Sequence, residues 1–273
     1  MDNKLFDIID QVDVTAEGLI LVRAFIETNE EIYGEIDDDT YDSKLLLFNS
    51  NGEYIREIHM DGILDIYTLD SNDNIYIINT DLSKDSRCLQ IFNLEGDKIF
   101  ESDRIEGDNL DSIKKIRTYD DNLIYLLKKS GEIEIVDENL VTKGMVRIGN
   151  SKIVDFDINN KNDLIILAEE DGNYKIIIYD TKNKREVYAN EIDANLYFYK
   201  IKYDGIKNKI YGIDGSSVWE IESNGIVGEK ILDSKANLIL MEIRDVFTIE
   251  EDYYIFAYNS ENLMSGIFTR QFV

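Results

Sequence analysis

The 273 residues predict an all-β protein, a six-bladed β-propeller with four antiparallel strands per blade, built by residues 1–273 as one domain. Three observations carry that expectation. A hairpin unit recurs at near-constant spacing, a second strand pair precedes each unit, and no amphipathic helical period of useful length occurs.

The hairpin unit is clearest in LLLFNSNGEYIREI (45–58) and LQIFNLEGDKIFES (89–102). Each reads as a strand, a polar turn ending in Gly, and a return strand. Further copies are IEIVDENLVTKGMV (133–146), IIIYDTKNKREVYA (176–189) and VWEIESNGIVGEKI (218–231), and GIFTRQFV (266–273) is a shortened last copy. Anchors Phe48, Phe92, Val136, Tyr179, Ile221 and Phe268 lie 44, 44, 43, 42 and 47 residues apart. That period tiles the chain into six units.

The preceding strand pairs are VDVTAEGLILV (12–22), ILDIYTLDSNDNIYII (63–78), IRTYDDNLIYLL (116–127), DFDINNKNDLIIL (155–167), IKYDGIKNKIYGI (201–213) and IRDVFTIEEDYYIFAY (243–258). Their Asp- and Asn-rich centres suit tight turns, because these side chains bond their own backbone and tolerate the left-handed conformation. A β-sandwich also has short strands and turns, but it does not require a fixed four-strand repeat. The last unit stops at its third strand. NKLF (3–6) is similar to DKIF (97–100) in a fourth-strand position, so an N-terminal strand is expected to close the last blade and remove two sheet edges. The short connection after Phe6 counts against that closure.

FNSNGEYIREI (48–58), DSNDNIYIIN (70–79) and FNLEGDKIF (92–100) resemble the six-bladed propellers of the NHL and TolB-like group. That group includes protein-binding scaffolds, carbohydrate binders and a few hydrolases or lactonases. The resemblance therefore implies architecture rather than activity.

Lys and Arg total 29 against 56 Asp and Glu, a net charge of −27. Nucleic acid and anionic membrane surfaces are excluded as expected partners, since both are bound chiefly through basic side chains. With 44% hydrophobic residues and no apolar run near the length of a membrane helix, no membrane insertion is expected. Cys88 is the only cysteine, so neither an intramolecular disulfide nor a thiolate zinc cluster can form. The start MDNKLFDIIDQVDV lacks a basic and apolar leader. Cytoplasmic synthesis is expected, and release as part of a virion or tail-like particle would leave no mark in the sequence.

Innermost strands face a propeller axis, so their polar residues report what the centre holds. Apolar anchors Val12, Ile66, Ile116, Phe156, Ile201 and Ile243 are preceded by Gln11, Asp65, Lys115, Asp155, Lys200 and Glu242. They are followed by Asp13, Tyr67, Arg117, Asp157, Lys202 and Arg244. Lysines interrupt the acids in both rings. A hard divalent cation needs oxygen ligands free of neighbouring cations, so no metal and no cofactor are expected. Asp65 is expected to pair with Lys115, and Asp155 with Lys115 or Lys200, which makes the channel structural. Catalytic residues are expected to be none: His59 is the single histidine, and no GxSxG elbow accompanies it.

Loop lengths differ between units. Blades 3, 4 and 5 have the short connections KSG, EEDG and DGSS, whereas blades 1, 2 and 6 carry ETNEEIYGEIDDDTYD (27–42), TDLSKDSR (80–87) and NSENLMSG (259–266). The long loops suggest a docking crescent formed by Tyr33, Asp37, Asp38, Asp39, Tyr41, Lys84, Leu263 and Met264, with acids that would steer a basic protein partner. The alternative is a solvated acidic loop. Three functional classes follow: a non-enzymatic interaction scaffold, favoured by the mixed-sign rings; a structural or adsorption subunit of a phage tail or tail-like particle, binding a protein or a cell-surface glycan; and a lactonase- or hydrolase-like enzyme, which the rings disfavour.

Overall fold

The computed structural model describes residues 8–15, 17–27, 41–60, 63–81, 86–103, 105–106, 113–119, 123–233, 242–249, 252–259 and 264–270. The chain divides into two compact units, Met1–Glu106 with Asn259–Gly266, and Gly107–Tyr258 with Ile267–Val273.

The first unit holds two antiparallel sheets. One runs β1 (Ile8–Val14), β2 (Ile20–Glu27), β3 (Tyr41–Phe48) and β4 (Tyr54–Ile58). The other runs β5 (Ile63–Leu69), β6 (Ile75–Asp81), β7 (Ser86–Phe92) and β8 (Lys98–Glu101), with β9 (Ile105–Glu106) also paired to β7. Leu21, Leu45 and Leu47 of the first sheet pack against Tyr67, Ile75, Ile77 and Phe92 of the second.

The second unit repeats the plan. Its sheets are β10 (Ile113–Thr118), β11 (Ile124–Lys128), β12 (Ile133–Val136) and β13 (Thr142–Val146); β14 (Lys152–Ile158), β15 (Leu164–Glu170), β16 (Asn173–Asp180) and β17 (Arg185–Glu191); and β18 (Lys200–Asp204), β19 (Lys209–Ile213), β20 (Ser217–Ile221) and β21 (Val227–Asp233). A last sheet orders β22 (Glu242–Ile249), β23 (Asp252–Asn259) and β24 (Met264–Arg270). Five sheets thus carry the four-strand blade and the last carries three strands among the described residues. Residues 3–6, expected to close it, lie outside the described set.

Four of the sheets share one turn chemistry. The side-chain oxygens of Asn49, Asp70, Asp137 and Asn159 each accept the N–H groups two and four residues on, at 2.8 to 3.0 Å. The residue three on adopts positive φ: Gly52, Asp73, Leu140 and Asn162. The repeated Asn/Asp therefore supplies the turn's hydrogen bonds, and glycine relieves the left-handed position where it is present.

Fourth strands are mostly exposed, as the patterns of β8 and β17 show, whereas second strands such as β11 and β15 are buried on both faces. A sheet sandwiched between two others has only its outer edge in water, which is how a blade buries apolar surface without a helix. The hydrophobic cores accordingly lie between consecutive sheets. Phe156 and Ile166 face Leu127 and Ile133, while Ile165 and Ile176 face Phe198 and Ile201.

One irregularity recurs. The pairing of first with second strands shifts by one residue between Ile9/Gln11, Leu64/Ile66, Ile113/Lys115, Ile153/Asp155 and Ile243/Asp245. A bulge inserts one residue and reverses which face later side chains take. This sets the register of the functional candidates.

Candidate functional site

In the second unit the first strands β10, β14, β18 and β22 contact one another in sequence. Their bulges turn the next residues, Lys115, Asp155 and Asp245, to a common side. Lys115 Nζ donates to both oxygens of Asp155, at 2.8 and 3.0 Å. Asp155 Oδ2 also accepts the N–H of Ile201, at 2.8 Å. Two residues further along, Arg117 Nε donates to Asp157 Oδ1 at 2.9 Å and the N–H of Tyr203 donates to Asp157 Oδ2 at 2.8 Å. Lys200 Nζ donates to Asp245, whose other oxygen accepts the N–H of Val246. The Thr248 hydroxyl donates to Asp204.

This makes two parallel rungs, cation to carboxylate to backbone N–H, across β10, β14 and β18. Lys115, Arg117, Asp155, Asp157 and Asp245 are all buried. Ionised groups taken out of water need such partners, since an unpaired buried charge is very costly. Burial opposes the Lys115 charge most strongly; Asp155 and Asp157 restore part of it, Arg117 and Lys200 oppose it, and the ammonium is pushed down to about 8. Burial acts to raise Asp157, but Arg117, Lys115, Lys202 and the N–H of Tyr203 together hold its carboxyl below the usual range. A carboxylate paired with a buried ammonium or guanidinium is a poor ligand for a hard metal ion, because the two cations would repel each other across it. No group of three or more His, Cys, Asp or Glu among the described residues is placed to hold a metal ion.

The remaining ring candidates fall elsewhere. Glu242 pairs with Arg244 at 3.0 Å, both nearly half exposed, because Arg244 is the bulge residue of β22. Asp245, not Glu242, therefore receives Lys200. The sequence signal for this was present: Asp245 precedes the apolar run Val246–Ile249 as Asp155 precedes Phe156. Tyr67 is a second correction. The bulge at Asp65 turns Tyr67 into the core between the first two sheets, fully buried, with its hydroxyl on the Leu21 carbonyl at 2.8 Å. The side chain of Asp65 lies outside the described set, and with it the expected pair to Lys115. Lys202 lies on β18 opposite Tyr211.

The first unit uses neutral groups. Gln11 Nε2 donates to Asp13 at 3.0 Å and to the Tyr67 carbonyl at 2.8 Å. On β6 and β7, Asn79 pairs in register with Cys88, and Ser86 and Gln90 share that face by alternation. Asn79 is fully buried and, among the described residues, neither atom of its amide has a hydrogen-bond partner; Ser86 Oγ and Gln90 Oε1 are in the same state. Each such atom costs about 1–3 kcal/mol unless water or a ligand reaches it. Cys88 is buried beside them. His59 stands exposed with Glu57 3.4 Å away.

Of the crescent candidates, Tyr33, Asp37, Asp38, Asp39, Lys84 and Leu263 lie outside the described residues. Tyr41 begins β3 and Met264 begins β24. Residues 259–266 nevertheless group with residues 1–106 in one unit.

No protein-family model matches the chain, and no curated protein does. Solved structures match it as propellers. A streptogramin B lyase is 15% identical, covers 90% of this chain and 75% of that one, with a TM-score of 0.54. The β-propeller domain of the Trilobed protease from Pyrococcus furiosus, described as having an open velcro topology, is 11% identical, covers 98% and 82%, with a TM-score of 0.52. A protein of unknown function from Bacteroides caccae is 11% identical, covers 83% and 82%, with a TM-score of 0.57. The sheets and these likenesses define the chain as a β-propeller of four-stranded antiparallel blades. Identity this low shows the fold alone, and the fold hosts lyases and other proteins alike. No helix among the described residues is long and apolar enough to cross a membrane.

Proposed function

We propose that the chain is a non-enzymatic binding scaffold, a six-bladed propeller of the NHL/TolB-like kind whose inner strands are structural and whose long loops recognise a protein partner. The observation that carries this reading is the rung pattern: Lys115, Arg117 and Lys200 occupy Asp155, Asp157 and Asp245. A lyase or lactonase site would need such carboxylates free to ligate a metal or move a proton. The three-stranded sheet β22–β24 and the strand-like NKLF at residues 3–6 support six blades, with the N-terminal strand closing the last.

The partner surface is the crescent of Tyr33, Asp37, Asp38, Asp39, Tyr41, Lys84, Leu263 and Met264. Aromatic and Met anchors among acids fit a basic protein surface. The test is native co-purification of the full chain against a variant lacking residues 29–39. A partner recovered with the full chain and lost with the deletion, at unchanged thermal midpoint, supports the scaffold. Equal recovery from both removes the crescent. Calcium-dependent turnover of a lactone or ester library would remove the non-enzymatic reading.

A further inference from the structure

A concavity of about 460 Å³ opens in the second unit between β13 and the turns that follow β14 and β16. Leu123, Tyr125, Ile135, Val146 and Tyr179 line it with apolar surface. Around them stand four lysines, Lys143, Lys161, Lys182 and Lys184. Lys143 is held by Asp137 at 2.6 Å. Among the described residues the other three make no ion pair, in a chain with 56 acids to 29 bases. In so acidic a chain, three ammonium groups without an ion pair around one apolar hollow are a local concentration of positive charge, set beside Asp180 and Glu186, which act on Tyr179. The three side chains can meet an anion at the rim of the hollow.

The lysines are carried on braced backbone. Asn159 accepts the N–H groups of Lys161 and Asp163, both at 2.9 Å. Asp180 accepts the N–H of Asn183 at 2.8 Å, and its other oxygen accepts the Asn183 amide. The Thr181 hydroxyl ties the two turns together by donating to the Asn162 carbonyl at 2.7 Å. Burial, then Glu186 and Asp180, push the Tyr179 phenol up, so it stays a neutral O–H donor.

We propose that this groove binds a small organic anion with an apolar body, its carboxylate or sulfonate among Lys161, Lys182 and Lys184 and its hydrocarbon part on Leu123, Ile135 and Val146. The volume lies within the rough 300–1,000 Å³ range of small-molecule sites. An acidic peptide would satisfy the lysines but would set polar peptide groups against the apolar lining, which disfavours it. The site is independent of the loop crescent.

The test uses the full chain and 8-anilinonaphthalene-1-sulfonate, an aromatic anion whose fluorescence rises in apolar surroundings, beside its uncharged counterpart N-phenyl-1-naphthylamine. Saturable one-site binding of the sulfonate is expected. The triple variant Lys161→Glu, Lys182→Glu, Lys184→Glu should weaken it by about tenfold or more, at unchanged thermal midpoint. Should that variant fold poorly, Lys182→Gln with Lys184→Gln should give a smaller weakening in the same direction. Equal affinity in wild type and variant overturns the proposal. So does equally tight binding of the uncharged naphthylamine. Displacement of the sulfonate by an octaglutamate peptide at comparable concentration would reassign the groove to a protein partner, and so also overturns it.

Discussion

The inner strands of the two units meet the same demand with different chemistry. In the Gly107–Tyr258 unit, charged side chains cross from strand to strand and end on backbone N–H groups. In the Met1–Glu106 unit, a carboxamide bridges β1 to β5 and an amide on β6 is left without a partner. The difference teaches where each unit is intolerant. A saturated ionic rung loses much when one member goes, because the survivors stay buried and charged. An unsaturated amide has little left to lose.

Asp157→Leu should expose that contrast most. It strands the buried Arg117 guanidinium and the N–H groups of Tyr203 and Ile158. The expected loss is about 3–5 kcal/mol of unfolding free energy by urea titration. A loss near zero would mean that the rungs do not exist in solution.

Lys115→Met should cost less, about 2–3 kcal/mol, because Asp155 keeps the Ile201 N–H when the ammonium goes. The double variant Lys115→Met with Asp155→Leu should recover much of that loss, as buried pairs replaced together often do. Alkaline pH gives a second reading. Since Lys115 is pushed down to about 8, the native state binds fewer protons than the unfolded chain between there and about 10.4, the free-lysine value. The contribution of this group to stability therefore rises with pH through that window, by at most about 1.4 kcal/mol per pH unit. The gap between wild type and Lys115→Met should widen from pH 8 to 10. Above about pH 10 the sign reverses for the tyrosines. Tyr199 and Tyr211 are raised, chiefly by burial, so the stability they give below that pH is lost as it climbs. A gap that stays constant over the window would show that Lys115 is not desolvated.

These residues also mark how far the sequence could be read. The near-constant spacing of the hairpin anchors announces four-strand blades, and Asn or Asp acceptors reverse the chain at four of the turns between strands. Lys115 and Asp155 are legible as neighbours, since each directly precedes an apolar anchor. Tyr67 is not, and Asp245 is legible only by the acid before Val246, which the anchor at Ile243 hides. A bulge adds a residue without changing composition, and alternation counted across it assigns every later side chain to the wrong face. Alternation from the apolar anchors puts Asp65 and Glu242 at the positions that Ile66 and Asp245 hold after the bulges of β5 and β22. The lysine groove left no linear trace either. Its lysines come from β13 and two separate turns, and only the packing of two sheets joins them.

In the first unit, Gln11→Ala removes two donated hydrogen bonds, to the Tyr67 carbonyl and Asp13. The replacement leaves acceptors rather than an ion in a partly buried place, so about 1 kcal/mol is expected by urea titration. A loss as large as that of Asp157→Leu would erase the distinction between the two units.

The smallest change should carry the opposite sign. Asn79→Leu replaces a fully buried amide that has no partner by an apolar side chain of similar size, beside Ile77 and Phe92 on the same face. In the second unit such a swap removes satisfied groups; here it removes an unmet demand. The expected result is a gain of up to about 1 kcal/mol in thermal or urea unfolding. A loss of more than about 1 kcal/mol would mean that ordered water satisfies Asn79 and that this unit is as closely knit as the other. A stable variant that no longer recovers a native partner would give the amide a different reason to be there, since binding groups are commonly kept at a cost to stability. The unfolding curve and the co-purification assay, run on one preparation, separate these outcomes.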